Sequence, residues 1–137
     1  MSFPSLAHLI EAARAWVRGS YATEAAVELL VHHGTWLERS DFLRMAVEYV
    51  PGVYADAPYA VISWDTIHSA MYNGLLPCSG AEAAILRIAL SLAEGHPVDL
   101  GPAIIRLDKR NLMYVLAAIR HASGDRSSWG TIPQDTP

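Results

Sequence analysis

Apolar residues recur at intervals of three and four along most of this chain, the spacing of helices with one buried face. Between Ser5 and Arg18, the residues Leu6, Leu9, Ile10, Ala13 and Val17 share one side, leaving Glu11, Arg14 and Arg18 outside. Pro4 suits the first helical position and Gly19 a left-handed stop. A second helix is predicted over about 23–33, ending at Gly34; its interior from Ala25 to Val31 is apolar nearly all round, which predicts a central place. A third opens with Ser40 as N-cap and runs to Val50, with Phe42, Leu43, Ala46, Val47 and Val50 inside and Pro51-Gly52 closing it.

The pattern then changes. Pro51 and Pro58 break helix, and Tyr59-Ala60-Val61-Ile62-Ser63-Trp64 is rich in strand formers, predicting a strand at about 60–63. Asp65 caps a short helix to Tyr72, stopped by Asn73-Gly74. Ser79-Gly80-Ala81-Glu82 fits a capping box, and the helix it opens, to Glu94, is apolar on two faces and so belongs between neighbours. Pro97-Val98-Asp99-Leu100 reads as a second strand paired with 60–63, lying against the helices because one strand pair is marginal alone. A short helix at about 102–107 follows. Asp108 then caps the last helix, with Leu112, Val115, Leu116, Ile119 and Ala122 as its inner stripe.

The fold class predicted is mostly α, a compact bundle of about six helices with a short two-stranded β element. Residues 1–124 form a single helical domain, and 125–137, rich in Ser, Gly and Pro, form a loose C-terminal tail in which Trp129 and Ile132 are out of character.

Composition narrows the function classes. The chain has 137 residues, of which 52% are hydrophobic and 18% charged, a globular balance that needs no disulfide or structural metal to fold. One cysteine, Cys78, excludes a disulfide framework and fits a reducing compartment. The amino terminus lacks the basic start of an export signal, and Glu28 and Arg87 interrupt the two longest apolar runs, well short of the roughly 18 residues of a membrane span. A cytoplasmic location is expected. The formal net charge is −4; residues 1–68 hold four arginines against eight acids, and 69–137 balance at six and six. Neither half is a basic footprint for a phosphate backbone.

Several motifs from Trp36 onward recur together: Trp36-Leu37 before Asp41-Phe42, Ser63-Trp64-Asp65, and Leu76-Pro77-Cys78-Ser79-Gly80 before a Leu/Ala-rich helix. Pro97-Val98-Asp99-Leu100, Leu107-Asp108 with Asn111, and Ile119-Arg120-His121-Ala122-Ser123-Gly124 complete the set. This pattern resembles a group of small actinobacterial proteins of unknown function. The resemblance implies no activity, cofactor or catalytic residue.

Chemistry candidates are few. Cys78 sits just before a helix start, where free amides lower a thiol pKa, and His68 or His96 could serve it as a base; burial as a small hydrophobe is the favoured expectation. His32 and His33 point about 100° apart on a helix and cannot share a metal; they suit the terminal carbonyls of their helix. His8, His68, His96 and His121 show no ligand spacing, although a fold could gather some with Glu24, Glu28 or Asp65. Arg106, Lys109, Arg110 and Arg120 on 102–122 invite comparison with helix-turn-helix DNA readers, yet the second helix offers Asn111 alone as an amide near its start. Four tryptophans and six tyrosines against two phenylalanines favour partly wet surfaces, and Tyr49, Tyr54, Tyr59 and Trp64 are the candidate interaction surface.

The function expected is a non-enzymatic protein-interaction or regulatory module that self-associates or meets a protein partner. No cofactor, metal or membrane is expected. The alternatives are a DNA-associated regulator using 102–122 and a small enzyme or ligand binder using Cys78 or histidines with Asp65.

Overall fold

Helix α1 (Leu6–Val17) starts where the Ser5 hydroxyl accepts the His8 amide at 3.3 Å, so Ser5 rather than Pro4 sets its beginning. It buries Leu9, Ala12, Ala13 and Val17. Helix α2 (Tyr21–His33) stops at Gly34, whose φ of 89° is a left-handed geometry that favours glycine. In the computed structural model, which describes residues 3–52 and 58–133, α2 is central as its composition demands. Ala25, Ala26, Val27, Leu29 and Leu30 have no exposed surface.

After a 3-10 turn at Trp36–Glu38, helix α3 covers only Ser40–Ala46, and Val47–Val50 is strand β1. The expected helix to Val50 is therefore cut short. Val47 and Val50 fit a helical stripe by spacing, but β-branched residues around Tyr49 favour a strand, and Pro51 disfavours helical geometry in the residue before it. Nor is Ser40 the cap: Arg39 occupies that position, and the Asp41 carboxylate accepts the Phe42 amide at 2.8 Å.

Strand β2 (Tyr59–Ile62) lies where expected, but its partner is β1. The two run antiparallel with Val47 opposite Ile62 and Val50 opposite Tyr59. The segment 97–100 forms no strand, because Leu100 already begins a helix.

Helices α4 (Trp64–Tyr72), α5 (Gly80–Glu94), α6 (Leu100–Ile105) and α7 (Lys109–Ala122) complete the bundle. The capping box at Ser79 is formed: Glu82 N–H donates to the Ser79 hydroxyl at 3.1 Å, and Ser79 N–H to the Glu82 carboxylate at 2.8 Å. Asp108 caps α7 by accepting the Asn111 amide at 2.8 Å. Helix α5 touches α2, α4, α6 and α7, which accounts for its two apolar faces. On its far side α2 packs on α7, and α1 covers β2. Trp36, fully buried, donates its indole N–H to the Glu82 carbonyl at 3.0 Å and tilts against Phe42 at 5.5 Å.

The chain beyond 124 departs from expectation. Arg126–Thr131 is a 3-10 turn docked on α7, with Ser128 fully buried and donating to the Ala117 carbonyl at 2.8 Å. Polar composition alone predicts a loose tail, but packing the partly buried Trp129 ring against the core and burying the Ser128 hydroxyl holds this segment in place.

Candidate functional site

Of the aromatic residues read as a candidate interaction surface, Tyr49 and Tyr59 are partly exposed and Trp64 is not. Trp64 is buried at the start of α4, and Tyr49 packs against the core. Tyr59 meets Trp16 of α1 edge to face at 5.9 Å, while Tyr54 lies outside the described residues. The Tyr59–Trp16 contact joins β2 to α1.

Cys78 is exposed, contrary to the expected burial. Its thiol is pushed above its ordinary value, first by partial desolvation and then by the Glu82 carboxylate, against the pull of Arg39 and Arg87. No histidine is among the charges acting on it. His68 and His96 are instead brought to each other, stacked at 4.1 Å with 9° between their planes. His96 Nε2 lies 3.3 Å from Asp65 Oδ1. The two histidines line a cavity of about 140 Å³ with Tyr72 and Arg87, and neither Asp65 nor Cys78 is in its wall. Among the described residues, no three histidine, cysteine or acidic side chains are placed to hold a metal ion.

Helix α7 carries an unexpected face. The predicted inner stripe splits in two: Val115 is buried, with Ala118 and His121, and Ala122 packs on the core. Leu116 and Ile119 turn outward at 52% and 45% exposure. With partly exposed Leu112 they repeat at four and three, the spacing of a helix-pairing seam. On α6, Ile105 is 84% exposed. The cations of this region are partly engaged: Arg110 donates to the Pro133 carbonyl at 2.9 Å, and Arg120 pairs with Asp125 at 3.1 Å.

The most organised polar group lies between α1, α2, α7 and the C-terminal turn. Glu24 is 8% exposed within the otherwise apolar interior of α2. Arg126 grips it with Nε at 2.7 Å from Oε1 and Nη2 at 2.9 Å from Oε2. The Gly19 amide donates to Oε2 at 2.7 Å, and His121 Nε2 lies 3.0 Å from Oε1. A buried carboxylate is costly unless neutralised and hydrogen-bonded, and Glu24 is both. Its pKa falls to about 2, chiefly through Arg126, with His121 and the Gly19 amide adding to the effect against the opposing cost of burial.

Trp129 Nε1 lies 2.9 Å from His121 Nδ1. An indole N–H can only donate, so Nδ1 accepts and Nε2 carries the hydrogen given to Glu24. Both nitrogens of His121 are thereby engaged, which suits a structural link and leaves no free base. Trp129 also stacks on His32 at 4.3 Å, and His32 Nδ1 lies 2.8 Å from the Glu28 carbonyl. His32 thus meets a carbonyl one turn back within its own helix rather than a terminal one, and the buried His33 Nδ1 has no hydrogen-bond partner among the described residues. Glu28 is held by Arg14 in a two-point contact at 2.8 and 3.0 Å. These side chains line a cavity of about 490 Å³.

No family model, curated protein or solved structure matches the chain, so the likeness to small actinobacterial proteins rests on its motifs alone. Among the described residues no helix is long and apolar enough to cross a membrane.

Proposed function

We propose that this chain is a non-enzymatic protein-interaction module that pairs with a second copy of itself through the outer face of α7. The observation that carries the reading is the outward seam of Leu116 and Ile119, two large apolar side chains half exposed on the same helix. A helix with buried Val115 and Ala118 on one side and an apolar seam on the other favours a partner on that second side. A twofold axis lets the same seam serve both copies, the commonest closed arrangement. A cytoplasmic setting agrees with the single exposed thiol of Cys78, which no disulfide protects.

Light scattering on a size-exclusion column, over a wide concentration range, tests this. The expected mass is about twice 14.9 kDa for the wild-type chain, and 14.9 kDa for Leu116→Glu with unchanged helical circular dichroism. A wild-type mass of 14.9 kDa at every concentration overturns self-association.

A further inference from the structure

We propose that the groove between α1, α2, α7 and the C-terminal turn binds a small organic anion, a carboxylate carried on a planar ring. Its volume of about 490 Å³ is that of a small-molecule site. The argument turns on which lining groups are already engaged. Both carboxylates are neutralised from within the protein. Glu24 accepts from Arg126, His121 and the Gly19 amide, and Glu28 accepts from Arg14. Neither is left to attract a cation.

The unengaged capacity is of the opposite kind. Arg18, an exposed side chain at the end of α1, borders the groove and makes no ion pair among the described residues, so its guanidinium is available to an anion bound there. Three arginines against two carboxylates line a groove in a chain whose net charge is −4; exposed Glu11, 2.8 Å from Arg14, is the one further acid bonded at its rim. A guanidinium is suited to a planar carboxylate because its donors match both oxygens.

The flat part of the ligand would meet an aromatic pair from outside its own contact. His32 and Trp129 stack on each other at 4.3 Å with 18° between their planes, both line the groove, and Val17 is an apolar side chain in the same lining. Both rings are fixed, His32 by the Glu28 carbonyl and Trp129 by His121 Nδ1. Such fixation limits the ordering cost of binding. The C-terminal turn thus acts as one side of a site, closed by Trp129 and Arg126.

Nitrogen-15 correlation spectra of the tryptophan indoles provide the test, with benzoate as probe and the Trp129 signal assigned by its loss in Trp129→Phe. Benzoate is expected to shift that signal saturably at about millimolar concentration, the affinity usual for a fragment of its size. Arg18→Ala, a change at an exposed helix end, is expected to weaken binding about tenfold while leaving circular dichroism unchanged. The absence of a saturable shift, or equal binding in Arg18→Ala, overturns the proposal. Benzamidine shifting the signal as strongly as benzoate overturns the anion preference, and inorganic phosphate binding as tightly overturns the role of the ring. All of these readings are independent of the oligomeric state.

Discussion

Arg126 grips Glu24 across 102 residues of chain, with both of its contacts shorter than 3.0 Å. The pair joins the C-terminal turn to α2 near the start of that helix, and His121 and Trp129 extend the link across α7 and back to the turn. Arg126 also lies over the Tyr21 ring at 4.2 Å, so α2 supplies both a charge and a π face to hold it. A segment of polar composition is thereby fixed by one buried carboxylate.

Removing that carboxylate's charge is expected to loosen the turn and alter the response to acid. Glu24 titrates at about 2 in the folded chain against an ordinary value of 4.5. The folded value is the lower one, so its stabilisation is complete above about pH 4.5 and is lost as pH falls toward 2. Burial depresses His33 below its ordinary 6.5, so its contribution is present above that value and lost as pH falls below it. Stability should therefore decline in two stages on acidification. Glu24→Gln is expected to lose about 1–3 kcal/mol at neutral pH, discounted because Arg126 is half exposed, and to show a shallower fall below about pH 4.5. Urea titrations across pH measure both effects, and an unchanged acid slope in the variant would contradict the assignment.

Much of the helical frame was legible because its punctuation is chemical and local. Ser79 with Glu82, Asp108 and Gly34 each satisfy or end a helix using atoms within a few residues, so spacing alone reveals them. The pairing of β1 with β2 was not legible, since Val47 and Val50, three apart, fit a helical stripe, whereas in the strand they fall on opposite faces, Val47 buried and Val50 exposed, and only tertiary packing decides. The Glu24–His121–Trp129 link was harder still. It joins residues 97 positions apart; the sequence offered a tryptophan standing in a Ser- and Gly-rich tail and the open possibility that a histidine such as His121 meets Glu24, but no spacing that pairs the two. Composition marks Tyr49, Tyr59 and Trp64 as suited to interfaces, but cannot tell which of them the fold buries: Trp64 is buried, while Tyr49 and Tyr59 stay partly exposed.

The two faces of α7 should separate cleanly in mutagenesis. Val115 is 1% exposed and its neighbour Leu116 is 52% exposed. Val115→Ala is expected to cost about 1–3 kcal/mol through lost packing and a cavity. Leu116→Ala should change the stability of a single copy by no more than about 0.5 kcal/mol. Urea unfolding at low protein concentration, where pairing is minimal, compares them directly. Similar losses at both positions would mean that Leu116 is buried within one copy.

The capping box at α5 should behave as a unit. Ser79→Ala removes the acceptor for the Glu82 amide and is expected to cost about 1 kcal/mol. Asp108→Ala removes the corresponding acceptor at α7 and should cost a similar amount. The two caps lie on different helices and share no hydrogen-bond partner, so their effects should add within about 0.5 kcal/mol. A double variant measured by urea unfolding decides this; strong non-additivity would reveal a coupling between the two helix starts.

Cys78 offers a direct view of its own surroundings. Because the side chain is exposed, iodoacetamide should modify it in the folded protein without denaturant. Because desolvation and Glu82 raise the thiol's pKa, that reaction should be slower at pH 8 than in the urea-unfolded chain, by about two- to fivefold. Arg39 and Arg87 pull the other way, so Arg39→Gln should slow the native reaction further. Glu82→Gln should speed it, although this change also removes a charge from the helix start and needs Ser79→Ala as its structural control. A folded-state reaction faster than that of the unfolded chain would mean an activated thiol, and would return Cys78 to the catalytic reading that its position before a helix first suggests.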